Sequence, residues 1–252
     1  MGATLKNSAA KAWEKAAGPL GQVVRSLPYR GKGRYCPVCT RYSRVFKRRG
    51  QPRRPDAQCA HCRALERHRL LWLFLHQRTD FFSHPPQRML HVAPEQALES
   101  RFREIVGEGY ITADAHPGRA DVTMDITDIH YDAGTFDVVY CSHVLEHVLD
   151  DRQAMREIRR VLKPDGWAIL LVPINAETTF EDPTVVSPEE RLRVFGQRDH
   201  VRIYGHDYSD RLREAGFTVS VTTPFDLVSQ RRVIEMGLTR ASGDIFFCTH
   251  AS

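Results

Sequence analysis

Short apolar runs alternate with helical patterns along the chain after Pro85 and Pro86. Seven runs have the length and residue types of buried strands, and we predict strands at 88–93, 110–114, 120–125, 136–142, 167–173, 218–225 and 244–250. Helical periodicity appears between them, at 96–105, 151–162 and 207–215. This alternation predicts an α/β domain over residues 85–252, with a seven-stranded, mostly parallel sheet and crossover helices.

The chain before residue 85 has a different pattern. Residues 31–63 have few apolar positions, whereas ALERHRLLWLFLHQR at 64–78 has an apolar stripe at helical spacing. We predict that this helix packs a small module, residues 31–84, onto the large domain. Residues 1–30 have only a weak helical pattern and are expected to be loosely ordered.

No segment has the length of a membrane span. The longest apolar run, LLWLFL, is far shorter than the roughly 20 residues that a transmembrane helix needs, and the N-terminus has no continuous secretory apolar core. We therefore expect a cytoplasmic protein with no membrane contact.

The charge is unevenly distributed. Residues 1–80 contain 18 Lys or Arg and 4 acidic residues, and residues 81–252 contain 18 basic and 27 acidic residues. This difference predicts two modules. The basic one could bind a phosphate-bearing partner or the acidic face of its neighbour, or it could be a solvated surface.

Four of the six cysteines form two C-x-x-C pairs, Cys36 with Cys39 and Cys59 with Cys62, separated by 19 residues. This spacing is typical of a structural zinc site that takes two thiolates from each of two tight turns. Four thiolates complete a tetrahedral Zn²⁺ and leave no position for water, so we predict a scaffolding role.

Polar residues follow the predicted strands of the large domain. They are His91 to Glu95, Asp114, Asp125 and Cys141 to His143. Ligands of open parallel sheets bind beyond the carboxyl ends of the strands, which makes these residues the candidate binding site. Asp114 lies 23 residues after His91, near the interval at which such domains place an acid for a ribose diol.

The run FDVVYCSHVLEHVLDDRQAMREIRRVLKPDGWAILLVP, at 136–173, resembles class I S-adenosylmethionine-dependent methyltransferases of the type 11 group, and the resemblance extends over about 88–250. It implies a Rossmann-like fold and S-adenosyl-L-methionine as cofactor. MDITDI at 124–129 resembles the family segment that receives the adenine, through Asp125 and the backbone of Ile126. The cofactor contacts implied are His91, Ala93, Glu95, Asp114, Asp125, Ile126, Cys141, Ser142 and His143.

The first loop departs from the family. Members usually have a glycine-rich loop after the first strand, but LHVAPEQAL contains no glycine. Ala93 would have to allow the close approach of the cofactor, with Pro94 and Glu95 opening the helix. Dinucleotide binding is less compatible with this loop, because a pyrophosphate needs the glycine turn.

The segment HVLEH, at 143–147, also matches the H-x-x-E-H pattern of an inverted zinc protease helix. Here it follows a predicted strand and precedes the helix that starts near Asp151. This position is typical of the methyltransferase segment, so we interpret it as part of a cofactor pocket.

The segment FGQRDHVRIYGHDY, at 195–208, is a polar stretch where this fold usually recognises its acceptor. We predict His200 as a proton acceptor and Arg202 as the group that orients an anionic or carbonyl-bearing acceptor, with His147 as a further catalytic candidate. The alternative is that these residues are ordinary surface or core polar groups.

The leading hypothesis is a methyltransferase that modifies an N or O atom of a small molecule. The second is an RNA methyltransferase, because ten basic residues and no acid lie in 30–54, with aromatic residues that could stack on bases. Against RNA, the fourth strand ends in CSHV rather than the Asn/Asp-Pro-Pro-Tyr/Phe of many base-amine methyltransferases. A third hypothesis is a non-catalytic, zinc-scaffolded binding protein.

Overall fold

The computed structural model describes residues 27–50 and 53–251, so most of the predicted N-terminal segment 1–30 lies outside the described residues. The small module contains two antiparallel hairpins. Their strands are β1 (Arg34–Cys36), β2 (Arg41–Ser43), β3 (Lys47–Arg49) and β4 (Arg54–Gln58). Each C-x-x-C pair lies at a turn of this module, and the residue after each second cysteine, Thr40 or Arg63, has a positive φ.

The large domain contains a seven-stranded sheet. Its strands are β5 (Met89–Val92), β6 (Tyr110–Asp114), β7 (Val122–Thr123), β8 (Phe136–Ser142), β9 (Leu162–Leu171), β13 (Phe217–Thr222) and β14 (Ile245–His250). They are ordered β13-β14-β9-β8-β5-β6-β7, and only β14 runs antiparallel to its neighbours in this sheet. The predicted mostly parallel sheet with Rossmann-like topology is confirmed.

Three strands differ from their predicted bounds by more than one residue at an end. β7 keeps only two residues of 120–125. β9 begins at Leu162, because Gly166 lets LKPDG run close to β8: a Cβ there would lie 2.9 Å from the carbonyl oxygen of Asp137. β13 ends at Thr222, because Pro224 begins a helix where a strand was predicted.

Seven α-helices lie in the part of the chain that is described. They are α1 (Glu66–Arg78), α2 (Gln96–Val106), α3 (Asp151–Val161), α4 (Pro188–Phe195), α5 (Tyr208–Glu214), α6 (Pro224–Leu227) and α7 (Gln230–Glu235). The predicted helices at 96–105, 151–162 and 207–215 correspond to α2, α3 and α5. No helix within 27–50 and 53–251 has both the length and the apolar character needed to cross a membrane.

The sheet separates two apolar layers. Alternate residues of β8 face opposite sides, so that Val138 and Tyr140 join the layer of α1 and α2, and Val139 and Cys141 join that of α3 and α5. Cys36 and Cys59 of the small module belong to the first layer. The module and the large domain therefore share one core.

A second, smaller sheet lies between β9 and α5 in the chain. Its strands are β10 (Ile174–Ala176), β11 (Phe180–Glu181) and β12 (Arg202–Gly205), in the order β10-β12-β11. The sequence pattern did not predict it, because β12 falls in the polar segment 195–208 and the other two strands have two or three residues.

Helix α1 connects the module to the sheet through a buried arginine. The guanidinium of Arg69 donates to the carbonyl oxygens of Asp56, Ala57 and Ala64 in the module and to that of Gly237 in the large domain, at 2.9–3.2 Å. It also lies 4.3 Å from the centre of the Phe46 ring. Because both parts supply acceptors to one buried cation, their relative position is fixed.

A second contact joins α1 to the loop after β5. The carboxylate of Glu95 accepts hydrogen bonds from Arg67 at 2.6 and 2.8 Å, from His68 at 2.8 Å and from the hydroxyl of Tyr140 at 2.9 Å. The backbone N–H of Leu65 donates to Nδ1 of His68, so its Nε2 carries the proton given to Glu95. Burial alone would raise the pKa of Glu95, but His68 and Arg67 outweigh it and hold the pKa well below its usual range.

Replacing Glu95 by Gln should lower the free energy of unfolding at neutral pH by about 2 kcal/mol or more, because Arg67 loses its charged partner. The folded-state pKa of Glu95 lies below the ordinary value of 4.5. Its contribution is therefore complete above that value and is lost as the pH falls through the folded-state pKa. Urea denaturation should give a stability difference between wild type and variant that is constant above about pH 5 and shrinks below it.

The matched control is Glu99→Gln in α2, which begins directly after Glu95, because the Glu99 carboxylate is partly exposed beside Arg103. It should change the free energy of unfolding by less than about 0.5 kcal/mol. Equal losses in the two variants would contradict the assigned role of Glu95. The four cysteines are present in the wild type and in both variants. Any effect of their protonation on the free energy of unfolding is therefore the same in all three proteins and cancels when they are compared.

Candidate functional site

The four cysteines of the module form one cluster. The Sγ atoms of Cys36 and Cys62 are 3.6 Å apart, and those of Cys39 and Cys59 are 3.7 Å apart. Four thiolates at about 2.3 Å from a tetrahedral Zn²⁺ would be about 3.8 Å from one another. The donor set and its spacing therefore fit a four-coordinate zinc ion.

The histidines near this cluster have other partners. His61 lies within the second C-x-x-C turn, where its ring contacts the carbonyl oxygen of Tyr42 and its backbone N–H donates to Sγ of Cys59. His68 binds Glu95. The cluster of the described module therefore consists of sulfur atoms alone.

The large sheet changes direction between β5 and β8. The chain runs from β5 outward through β6 to β7, then returns to add β8 on the other side of β5. In open parallel sheets this switch point opens a crevice beyond the strand ends, where ligands bind. Ala93 follows β5 with φ of 50°, and His143 follows β8 with φ of 56°. Both loops thus turn through the left-handed region that usually requires glycine.

The ring of His91 contacts the backbone of the loop after β5. This ring is fully buried, and it contacts the hydroxyl of Tyr110 at 2.6 Å and the backbone N–H of Glu95 at 3.4 Å. Burial lowers the pKa of His91 to about 4, which keeps the ring neutral. His91 and Glu95 both bind protein groups that shape the loop. Their predicted cofactor contacts stay predictions.

Two predicted acids lie at the same edge of the sheet. Asp114 ends β6, and its Oδ1 binds the backbone N–H and the ring of His116. Asp125 lies two residues after β7, and its Oδ1 accepts from the N–H and hydroxyl of Thr127. Among the described residues, the Oδ2 atom of each acid has no hydrogen-bond partner. Ile126, beside Asp125, is buried.

The end of β8 carries the next predicted residues. Cys141 faces the core, and burial raises the pKa of its thiol, so it is an unreactive packing residue. Ser142 is also buried, and its hydroxyl has no hydrogen-bond partner in the part of the chain that is described. His143 is partly exposed, and its backbone N–H donates to the carbonyl oxygen of Leu171.

The HVLEH segment is not part of a long helix. Leu145–His147 form a single 3₁₀ turn between β8 and α3, which matches the strand-to-helix position expected from the sequence. The segment before β12 packs across this turn. The backbone N–H of Val201 donates to the carbonyl oxygen of Glu146, and Nδ1 of His147 lies 3.2 Å from the carbonyl oxygen of Asp199.

This packing brings two predicted catalytic histidines together. The rings of His147 and His200 meet edge to face, with centres 4.7 Å apart. His200 is only 6% exposed, and burial lowers its pKa, so the ring is neutral at physiological pH. Glu146, which was not among the predicted site residues, contributes the third side chain of the cluster. The sequence contained a signal for it in H-x-x-E-H, but His200 is distant along the chain.

The side chain of Arg202 is hydrogen-bonded to other groups of the protein. The side chain is 3% exposed and donates to the carbonyl oxygens of Leu145, Val148 and Leu149 and to the carboxylate of Glu181. It therefore positions the turn that carries Glu146 and His147. Its contact with an acceptor stays a prediction.

A buried carboxylate supports the same region. Asp151, at the start of α3, accepts hydrogen bonds from Tyr204 at 2.6 Å and from Arg211 at 2.9 Å. Arg211 also pairs with Glu181, and hydrogen bonds from Arg211 and Arg202 lower the pKa of Glu181 to about 2. No sequence pattern indicates this network, because its members come from four separate elements.

Residues 91–170 match the family described as a methyltransferase domain. A Streptomyces fradiae protein, described as an uncharacterized 37.1 kDa protein in a transposon, is 30% identical over 111 residues. That match covers 42% of this chain and 32% of the Streptomyces protein, so the chain spans about a third of the length of this curated relative.

Two solved structures are also similar. The 1,6-didemethyltoxoflavin-N1-methyltransferase of Burkholderia thailandensis is 14% identical, with 71% of this chain and 75% of that one covered and a TM-score of 0.45. A SAM-dependent methyltransferase of Archaeoglobus fulgidus is 14% identical, with 71% and 92% covered and a TM-score of 0.44. Residues 91–170 are therefore similar to the methyltransferase domain family, and the strand order of the sheet that contains them is Rossmann-like.

Proposed function

We propose that the protein transfers a methyl group from S-adenosyl-L-methionine to an N or O atom of a small molecule. The observation that carries this proposal is the reversal of strand order between β5 and β8, where Ala93 and His143 both adopt left-handed conformations at the carboxyl ends of the strands. With a methyl side chain only, Ala93 leaves room for a ligand near the backbone, as glycine does in other members of the fold.

The unpaired carboxylate oxygens beside the crevice fit an adenosine. Oδ2 of Asp114 would accept hydrogen bonds from the ribose hydroxyls, and Oδ2 of Asp125 would accept from the adenine amine, beside the apolar Ile126. The buried hydroxyl of Ser142 would gain a partner from the ligand. S-adenosylmethionine supplies an electrophilic methyl group on a positively charged sulfur.

The acceptor would enter on the side of His147 and His200. Methyl transfer is an in-line displacement, so the chain must hold the acceptor atom behind the methyl carbon and exclude water. The turn fixed by Arg202 provides a rigid wall for this purpose. The strand end CSHV supports a small molecule over a nucleic-acid base as acceptor.

Replacing Asp114 by Ala should weaken the binding of S-adenosylmethionine about 30-fold or more, because two hydrogen bonds to a charged acceptor are removed. Asp125→Ala should weaken it about 10-fold, because one such bond is removed. Isothermal titration calorimetry of the full-length protein measures both effects, with the demethylated product as a second ligand.

The control for this experiment is Asp128→Ala, which removes an exposed carboxylate beside His130 and should leave the affinity unchanged. If the folded wild-type protein gives no heat with millimolar ligand, the enzyme proposal is wrong. The non-catalytic, zinc-scaffolded binding protein would then be the better description.

We also propose that Cys36, Cys39, Cys59 and Cys62 hold a structural Zn²⁺. The loop between the two pairs has few apolar residues, so the metal would supply most of the folding free energy of the module. The module ends in α1, whose Arg67 and His68 hold Glu95 and thereby the loop after β5. Zinc would therefore help to shape the cofactor loop from a distance.

Replacing Cys59 by Ser should remove one equivalent of zinc and weaken S-adenosylmethionine binding at least 5-fold, because α1 no longer holds the loop firmly. Elemental analysis and calorimetry measure the two effects. Arg41→Ala, an exposed change in the same module, should alter neither. Loss of zinc with full cofactor affinity would contradict the coupling.

RNA is a second candidate acceptor, and it is favoured by the surface of the module. Arg41, Arg44, Arg48 and Arg49 are exposed on the hairpins, together with the half-exposed ring of Tyr42. Arginines can bind phosphates, and an exposed aromatic ring can stack on a base. Other arginines of the module, such as Arg34 and Arg54, are already paired with acids.

If RNA binds here, retention of tRNA by the full-length protein should fall steeply with salt. The double variant Arg48→Ala, Arg49→Ala should reduce the slope of this salt dependence by about 0.7 for each phosphate that the protein no longer neutralises. Filter binding between low and physiological salt measures this slope. Indifference to RNA at low salt would exclude the second candidate and leave the small-molecule proposal intact.

A further inference from the structure

Three side chains of the types that can ligate a metal meet at the turn after β8, outside the cysteine cluster. Glu146, His147 and His200 each offer a ligand atom, and these three atoms lie within 4.8 Å of one another. Ligands at about 2.1 Å from one tetrahedral ion would be about 3.4 Å apart, so small side-chain rotations bring them into range. Two imidazoles and one carboxylate form a common ligand set for divalent transition metals.

The carboxylate of this cluster, on Glu146, is buried with few hydrogen bonds to offset the loss of water. Glu146 is 2% exposed, and its Oε2 has no hydrogen-bond partner among the described residues. Its Oε1 has a single contact, with Nδ1 of His143 at 3.2 Å. Arg202, a buried cation that contacts the same turn, donates to backbone carbonyls and to Glu181 instead. A buried carboxylate with an unpaired oxygen is costly unless a cation binds there.

Outer contacts orient two of the three ligands. Nδ1 of His143 holds Oε1 of Glu146, which leaves Oε2 for another partner. The carbonyl oxygen of Asp199 lies 3.2 Å from Nδ1 of His147, which favours a proton on Nδ1 and a free lone pair on Nε2. Partners of this kind fix ring orientation and ligand basicity in metal sites. Arg202 holds the turn that carries Glu146 and His147.

We propose that Glu146, His147 and His200 bind a first-row divalent transition metal ion at the acceptor side of the crevice. The site differs from the cysteine cluster in its ligands and in its coordination. Three protein ligands leave at least one position open, whereas four thiolates leave none. An open position is typical of an ion that meets a substrate.

The open position indicates the class of acceptor, an inference that rests on the proposed methyl transfer. A metal ion favours an oxygen donor such as a hydroxyl group, and it lowers the pKa of that group. As the oxygen–carbon bond forms, the carbon–sulfur bond breaks with its electron pair moving to sulfur, and the hydroxyl proton passes to solvent. His200 then acts as a ligand and not as the proton acceptor expected from its sequence context, because its lone pair is taken by the ion.

The metal site can be tested by titrating Co²⁺ into the full-length protein after loading the cysteine cluster with Zn²⁺. Wild type should bind one further equivalent, with visible absorption that lacks thiolate charge-transfer bands. Glu146→Gln and His200→Ala should each weaken this binding at least 10-fold, because each removes one of three ligands. Zn²⁺ should displace the Co²⁺.

His130→Ala is the matched control, because His130 is an exposed histidine beside Asp128 and lies outside both clusters of metal-binding side chains found among the described residues. It should bind Co²⁺ as wild type does. If Glu146→Gln fails to fold, His147→Gln gives the same test at a side chain that is 32% exposed. No saturable Co²⁺ binding by wild type, or equal binding by all variants, would overturn the proposal.

Calorimetry separates this proposal from the cofactor proposal. Glu146→Gln and His200→Ala should still bind S-adenosylhomocysteine, because neither residue contacts the adenosine end of the crevice in the proposed arrangement. Cofactor binding without Co²⁺ binding would reject the metal site alone. Co²⁺ binding without cofactor binding would keep the metal site and reject the assigned acceptor.

Discussion

The largely buried carboxylate of Glu95 is the constraint on which the conformation of the loop after β5 depends. Glu95 lies two residues after Ala93, in a loop without glycine. Its carboxylate accepts hydrogen bonds from Arg67, His68 and Tyr140. A loop that turns through a left-handed alanine carries a conformational cost of about 1 kcal/mol, which surrounding contacts must offset. Helix α1 makes those contacts, so the small module contributes to the shape of a loop that it does not contain.

Sequence patterns predicted the parts of the fold that depend on local order. The runs at 110–114 and 136–142 match β6 and β8 residue for residue, because both strands are apolar and bounded by turns. The pattern failed where a distant neighbour decides the conformation. LKPDG is extended because Gly166 allows close approach to β8, and β12 forms because β10 and β11 pair with it.

The same distinction between local pattern and distant contacts applies to the residues of the candidate site. Cysteine spacing predicted the module cluster, and strand ends predicted the position of Asp114 and Asp125, because parallel strands bring their carboxyl ends to one edge. The H-x-x-E-H pattern pointed to Glu146, but its position after a strand argued against a metal site, and no local spacing indicated His200, which a separate segment brings against the 3₁₀ turn. A residue's neighbours from other elements cannot be deduced from its own spacing.

Three carboxylates in the segments that follow β5 and β8 have little exposure, and their compensation differs. Glu95 has Arg67, and Asp151 has Arg211, each as a charged partner within 3 Å. Glu146 has one contact with a partly exposed histidine and an oxygen with no partner among the described residues. Folding alone favours the first pattern, because an arginine within reach removes most of the desolvation cost. The exception, Glu146, lies beside His147 and His200, where an uncompensated carboxylate is useful only if a positively charged ligand binds there.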